Sequence, residues 1–157
     1  MTTLTFTIPG KPVAKGRPRF ARRGKFVSTY TPEATVRFED SVALYAREAG
    51  ARPVEDAPVV LDVVAVWAWP SSVSKIRRAR LLEEAYREAG SGLVPKTTKP
   101  DADNVAKAVG DALEGVAYVR DGQVWLVRAA TTWGSSPLTR VRVSYGANVP
   151  AFPERWW

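Results

Sequence analysis

An alternating N-terminal segment, a long apolar stretch in mid-chain and two amphipathic helices predict an α+β fold. In this fold a small mixed β-sheet is packed by two core helices, with one extra helical insertion, in a single domain over residues 1–147. The 157 residues suffice for one domain with a real core and fall short of two. A hydrophobic fraction of 45% and a charged fraction of 25% are those of a globular chain.

TLTFTIPG alternates Leu4, Phe6 and Ile8 with threonines, the pattern of a half-buried strand that Pro9-Gly10 ends. Residues 10–30 contain Gly10, Pro12, Gly16, Pro18 and Gly24, too many breakers for a helix or a central strand, so a loop is expected. TPEATVRFEDSVALYAREAG predicts a helix capped by Thr31, with Pro32 at its first position and Gly50 at its end. APVVLDVVAVWAWP is nearly continuous in apolar residues and predicts a central strand. Asp62 and Pro70 interrupt and close it, well short of the roughly 20 residues of a membrane span. Trp67 and Trp69, two residues apart, are expected on one strand face, in the core or at a dimer interface.

Residues 72–95 read as a helical insertion lying over the sheet. It is basic in its first half (Lys75, Arg77, Arg78, Arg80), a possible second rail for a polyanion, and acidic in its second (Glu83, Glu84, Glu88). LVPKTTKP is a loop that leads to the second core helix, over 103–114, with Val105, Ala108, Val109, Ala112 and Leu113 on one face. QVWLVRAATTW and LTRVRVSYG, joined by GSSP, are expected to close the domain as a hairpin. Residues 148–157 form a tail rich in Pro and Trp, ending in Trp156 and Trp157.

The chain has no Cys and no His. Disulfides, zinc-finger sites, thiolate nucleophiles and the Ser-His-Asp triad are therefore excluded. Acid–base chemistry would fall to Asp, Glu, Lys, Tyr or a metal-activated water, and carboxylate ligands select Mg²⁺ or Mn²⁺ over zinc. The N-terminus lacks the basic-then-apolar order of a secretory signal, so an intracellular, cytoplasmic location is expected.

The net charge is +7 with a pI near 10.0, and it is concentrated in one place. Residues 10–30 carry Lys11, Lys15, Arg17, Arg19, Arg22, Arg23 and Lys25 and no acid; the other 16 basic residues balance the 16 acidic ones. One segment thus creates the positive field, which points to a polyanion.

KPDADNVAKAVGDALEG places Asp101 and Asp103 where a helix should begin. Pro100 disfavours helix before it, which puts Asp101 at or just outside the N-terminus and Asp103 or Asn104 near the cap. Asp103, Lys107, Asp111 and Glu114 form a polar stripe along the helix. Two readings stand at this point. One is a helix cap with Asp103–Lys107–Asp111 ion pairs on a solvated face. The other is a divalent-cation site facing a phosphodiester, suited to the electropositive helix end and to Lys96 and Lys99 just before it. Asp121, in AYVRDGQVW at the head of a strand starting near Gln123, either makes a turn with Gly122 or joins the other acids. Three converging carboxylates repel one another unless a cation sits among them.

KPDADNVAKAVGDALEG followed by DGQV resembles the signature of the RusA-type Holliday junction resolvases, small endonucleases common in phages and prophages. GKPVAKGRPRF…YTPEAT resembles the basic opening of the phage branch of that family. The resemblance spans about Thr5 to Tyr145, with its specificity in the Asp-x-Asp-Asn-x-x-Lys core. It implies a homodimer that cuts four-way DNA junctions symmetrically with Mg²⁺ or Mn²⁺, in recombination and repair within a bacterial cytoplasm.

By position, it implies that Asp101, Asp103 and Asp121 bind the metal as catalytic acids and that Lys107 is the catalytic lysine, with Asn104 and Asp111 in support. Arg120 stands where many members carry a second acid. Lys11, Lys15, Arg17, Arg19, Arg22, Arg23 and Lys25, with Lys96 and Lys99, are expected to bind backbone phosphates. Phe20 and Phe26 either pack the basic segment against the domain or insert at the open centre of a junction. Two rival classes share parts of the pattern: a branched-DNA-binding protein without catalysis, and a Mg²⁺-dependent hydrolase of nucleotides or of other branched or flapped DNA. A steep fall of affinity with salt separates a polyanion binder from a mononucleotide enzyme.

Overall fold

The computed structural model describes residues 2–152; Trp156 and Trp157 lie outside them. In chain order the strands are β1 (Thr2–Pro9), β2 (Arg19–Arg23), β3 (Phe26–Tyr30), β4 (Val59–Ala68), β5 (Val94–Pro95), β6 (Val124–Gly134) and β7 (Leu138–Tyr145). The helices are α1 (Glu33–Glu48), α2 (Lys75–Ala89) and α3 (Ala102–Leu113). β4 is buried on both faces from Val59 to Trp67, as its continuous apolar run predicts. It sits at the centre of a five-stranded mixed sheet ordered β1-β7-β4-β6-β5.

β6 runs parallel to β4 on one side and β7 antiparallel on the other. The two closing strands therefore flank β4 and do not pair as the expected hairpin. Adjacent strands lie about 4.8 Å apart, so a two-strand gap is about 10 Å, which four residues can cross. GSSP carries the chain over the end of β4, leaving the central place to the most apolar strand. In the segment expected to be a plain loop, Val94 and Pro95 pair with Trp133 and Thr132.

α1 and α3 pack on one face of the sheet. Phe38, Val42 and Ala46, at four-residue spacing on α1, meet Val105, Val109 and Leu113 of α3 over Leu61, Val63 and Ala65 of β4. Helix α1 begins one residue later than expected: Pro32 is its N-cap residue, its carbonyl accepting the amides of Thr35 and Val36. Thr31 thus lies outside the helix. Gly50, with φ 92°, follows the C-cap Ala49.

On the opposite face, β4 presents Val60, Asp62, Val64 and Val66, all buried. Asp62 is fully buried and sits in register with Arg128 of β6 and Arg142 of β7. Arg128 donates to its two oxygens at 2.6 and 3.0 Å, and Arg142 donates to Oδ2 at 2.9 and 2.7 Å. The chain after β7 folds back here. Arg142 also donates to the Ala151 carbonyl, and Phe152 packs against the cluster of Val64 and Val66 while the Arg128 guanidinium lies 5.3 Å from its ring. Helix α2 buries none of its residues. Ser74 caps it through the Arg77 amide, and Arg78 is tied to the carbonyls of Val73 and Pro70.

The basic segment divides in two. Residues 10–18 are irregular but pinned between the helices: the Lys15 amide donates to the Asn104 carbonyl, and the Gly16 amide to Thr35 Oγ1. A Cβ on Gly16 would lie 2.8 Å from Pro32 Cγ, so the close approach needs glycine. Residues 19–30, expected as loop, form a β-hairpin in which β2 and β3 pair around Gly24-Lys25. Gly24, at φ 61°, supplies the turn that its count as a breaker concealed. Phe20 is 75% exposed and Phe26 81% exposed. Neither packs the segment against the domain.

Replacing Asp62 by Ala leaves two guanidinium groups facing an apolar sheet. We expect Asp62→Ala to lower the unfolding free energy by about 3 kcal/mol in urea titrations.

Candidate active site

Asp101 occupies the N-cap position of α3 with extended backbone (φ −77°, ψ 153°), yet its side chain makes no capping hydrogen bond. Among the described residues, neither Asp103 nor Lys107 forms an ion pair. Asp111, expected to pair with Lys107, is instead bound by Lys15 at 2.8 Å, and Lys15 also meets Glu39 at 2.6 Å. The cap-and-ion-pair reading of this helix start thus fails at each of its contacts. Lys15, expected to hold a phosphate, clasps α1 to α3. Burial pulls its ammonium down, but the hydrogen bonds to Asp111 and Glu39 outweigh this and raise it above the ordinary lysine value.

Asp103, Lys107, Asp111 and Asp121 line one open groove between α3 and β6, floored by Leu61, Ala106, Tyr118 and Ala129. Asp103 and Lys107 lie one turn apart on α3, and Asp121 borders the groove from the single 3-10 turn Asp121–Gln123 ahead of β6. The side chain that sets this turn is Gln123, which sequence reasoning passed over although it stands in the DGQV motif. Its Oε1 accepts the amides of Val119 and Arg120 at 3.0 and 2.9 Å, and its Nε2 donates to the carbonyls of Val54 and Ala57. Beneath the groove the Tyr118 hydroxyl donates to the Gly110 carbonyl at 2.7 Å. Burial, with the nearby charges of Glu114, Asp111 and Asp121, pushes that hydroxyl far above the ordinary tyrosine value.

Asp101 opens instead onto a neighbouring hollow that it shares with Lys15, Arg17, Lys99 and Asn104. Lys96 was expected to contact DNA and does not face solvent. It is 6% exposed, and its ammonium donates to the carbonyls of Thr98 at 2.5 Å and Lys99 at 2.9 Å. Among the described residues no three acidic side chains stand close enough to enclose a cation. The donor set is nonetheless carboxylate-only and solvent-open, which fits Mg²⁺ or Mn²⁺, ions that keep several waters and take one or two protein carboxylates. Also among the described residues, no helix is long and apolar enough to cross a membrane.

The family model for endodeoxyribonuclease RusA matches residues 9–144. YqaN of Bacillus subtilis (strain 168), itself described as uncharacterized, is 34% identical over 143 residues, 91% of this chain and 96% of that protein. The chain belongs to the RusA family of endodeoxyribonucleases. It is accordingly a DNA-binding endonuclease of the junction-resolving class, acting in recombination.

Tyr118, Tyr145 and Lys15 bias stability in one direction at high pH. Burial raises both tyrosines, so the unfolded chain ionises them above about pH 10 while the fold keeps them protonated. The unfolded state then binds fewer protons, and stability falls as pH rises. Lys15 adds to this: its contribution is intact below the ordinary lysine pKa of 10.5 and is lost as pH passes its raised folded value. Denaturation midpoints should therefore fall above pH 10. Tyr118→Phe should cost about 1 kcal/mol at neutral pH and make that alkaline decline shallower.

Proposed function

We propose that the protein is a homodimer that resolves four-way DNA junctions by paired, symmetric hydrolysis dependent on Mg²⁺ or Mn²⁺, with Asp101, Asp103 and Asp121 as metal-binding acids and Lys107 as the catalytic lysine. The observation that carries this reading is the groove itself. Lys107 enters it with no ion-pair partner among the described residues, beside Asp103 and Asp121, while the adjacent Asp111 is bound by Lys15. A lysine without a carboxylate partner, one turn from an acid at a helix start, suits an anionic substrate.

The bound cation would neutralise charge on the scissile phosphate and acidify the attacking water. Asp101 and Asp103 flank the start of α3, where the helix dipole adds positive potential for a phosphate. Lys107 would stabilise the charge that develops on the phosphate and leaving oxygen. Since the acids among the described residues are too spread to enclose an ion by themselves, the arrangement favours a shell completed by waters and the substrate phosphate. Two symmetric nicks also need two sites, which a twofold dimer supplies.

The basic hairpin would grip the DNA. Arg19, Arg22 and Lys25 are exposed on it, Arg23 lies on β2, Arg17 and Lys99 line one hollow together, and Lys11 is exposed earlier in the basic segment. The solvent-facing Phe20 and Phe26 favour contact with exposed bases over packing on the domain.

The test is cleavage of a synthetic four-way junction beside linear duplex of the same sequence, with Mg²⁺ and with EDTA. Paired symmetric nicks in the junction alone, only with metal, are expected; binding without cutting in Mg²⁺ or Mn²⁺ would overturn the reading. Asp103→Asn should lower kcat by about 10²-fold or more while junction binding holds or tightens. The double variant Arg17→Ala, Arg19→Ala should weaken binding and reduce the slope of log K against log salt by about 2.

A further inference from the structure

A buried lysine with no part in the proposed chemistry lies just ahead of Asp101. Lys96 is anchored to the sheet by its main chain: its amide donates to the Thr131 carbonyl and its own carbonyl accepts from Thr131 Oγ1, both at 2.9 Å. Its side chain then turns forward along its own chain, and the ammonium donates to the carbonyls of Thr98 and Lys99. The same ammonium lies 4.4 Å from the centre of the Trp67 ring and 5.6 Å from that of Trp133.

Two carbonyls and two indole faces thus take up the charge, an arrangement that compensates a cation held out of water. Desolvation pulls the ammonium below the ordinary lysine value; Asp101 partly offsets this and Lys11 reinforces it. An apolar side chain would fill the same space without that penalty. What a lysine adds is a fixed path for residues 97–100, because both bonded carbonyls belong to the segment that delivers the chain to Asp101.

We propose that Lys96 is a positioning residue: its caged ammonium fastens the Thr98–Lys99 backbone and so sets Asp101 at the mouth of α3 for its role toward the metal. The inference rests on the reading of Asp101 given above. A phosphate contact from Lys96 is not part of it.

The test compares full-length protein with Lys96→Met, which keeps the stem and removes the charge, and Lys96→Arg, which keeps the charge. In metal-free protein, hydrogen exchange should quicken about tenfold at the amide of Val105, which donates to the Asp101 carbonyl, in Lys96→Met and stay slow in β4. On the junction, kcat should fall and the Mn²⁺ concentration for half-maximal activity should rise, each by about 10- to 100-fold, with junction affinity in EDTA unchanged. Lys96→Arg should recover part of both effects.

Parental exchange and kcat in Lys96→Met would overturn the proposal. An equal rise of exchange across β4 would also overturn it, since Lys96 would then merely hold the core. Asp101→Asn, assayed alongside, separates the two readings. Parental cleavage there removes the role of Asp101 itself, whereas loss of cleavage there with parental behaviour in Lys96→Met removes only the role of Lys96.

Discussion

Burying one strand on both faces is the constraint from which the rest of this molecule follows. β4 lies between a parallel and an antiparallel neighbour, and a parallel pair cannot be closed by a tight turn. The crossover from β4 to β6 therefore carries α2, β5 and α3, and lays α3 beside β6 on the helical face. The groove that holds Asp103, Lys107 and Asp121 is the seam of that crossover. Because β5 pairs with β6 only at Trp133 and Thr132, the earlier part of β6 keeps its outer side open to the groove.

Electrostatics in this fold is a matter of allocation. Of the cations expected to meet a polyanion, Lys15 and Lys96 are taken inward, one to tie α1 to α3 and the other to fasten the chain before Asp101. Among the described residues Lys107 forms no ion pair, while Asp111 is bound by Lys15. Partly buried pairs such as those of Lys15 add only modestly to stability. Their effect is to decide which charges stay available.

The elements that could be read from sequence are those whose signals are local. The breaks at Pro9-Gly10 and Gly50, the apolar run of β4 and the face of α3 all lie within single segments. The expected hairpin of β6 and β7 failed because adjacency in sequence was taken for adjacency in space, and only the burial of β4 shows otherwise. The β2–β3 hairpin was missed because Gly24 reads as a breaker until its partner strands are seen. Asp101, Asp103, Lys107 and Asp121 were singled out from their motif, and three of them lie along one groove with Asp101 in the next hollow. The inward turn of Lys96 and the four bonds of Gln123 depend on contacts across the fold, which no local pattern records.

The hairpin over residues 19–30 stands clear of the core, with Ala21 its only half-buried residue of known side-chain exposure. Its base is held where Gly16 meets Pro32 and Thr35, on a part of the domain built without it. An appendage fixed at its root and free at its tip can be lengthened, shortened or exchanged without disturbing the sheet. The charge pattern of this arm and the folding of the sheet are then inherited through separate stretches of the chain, and the first can drift while the second stays under constraint.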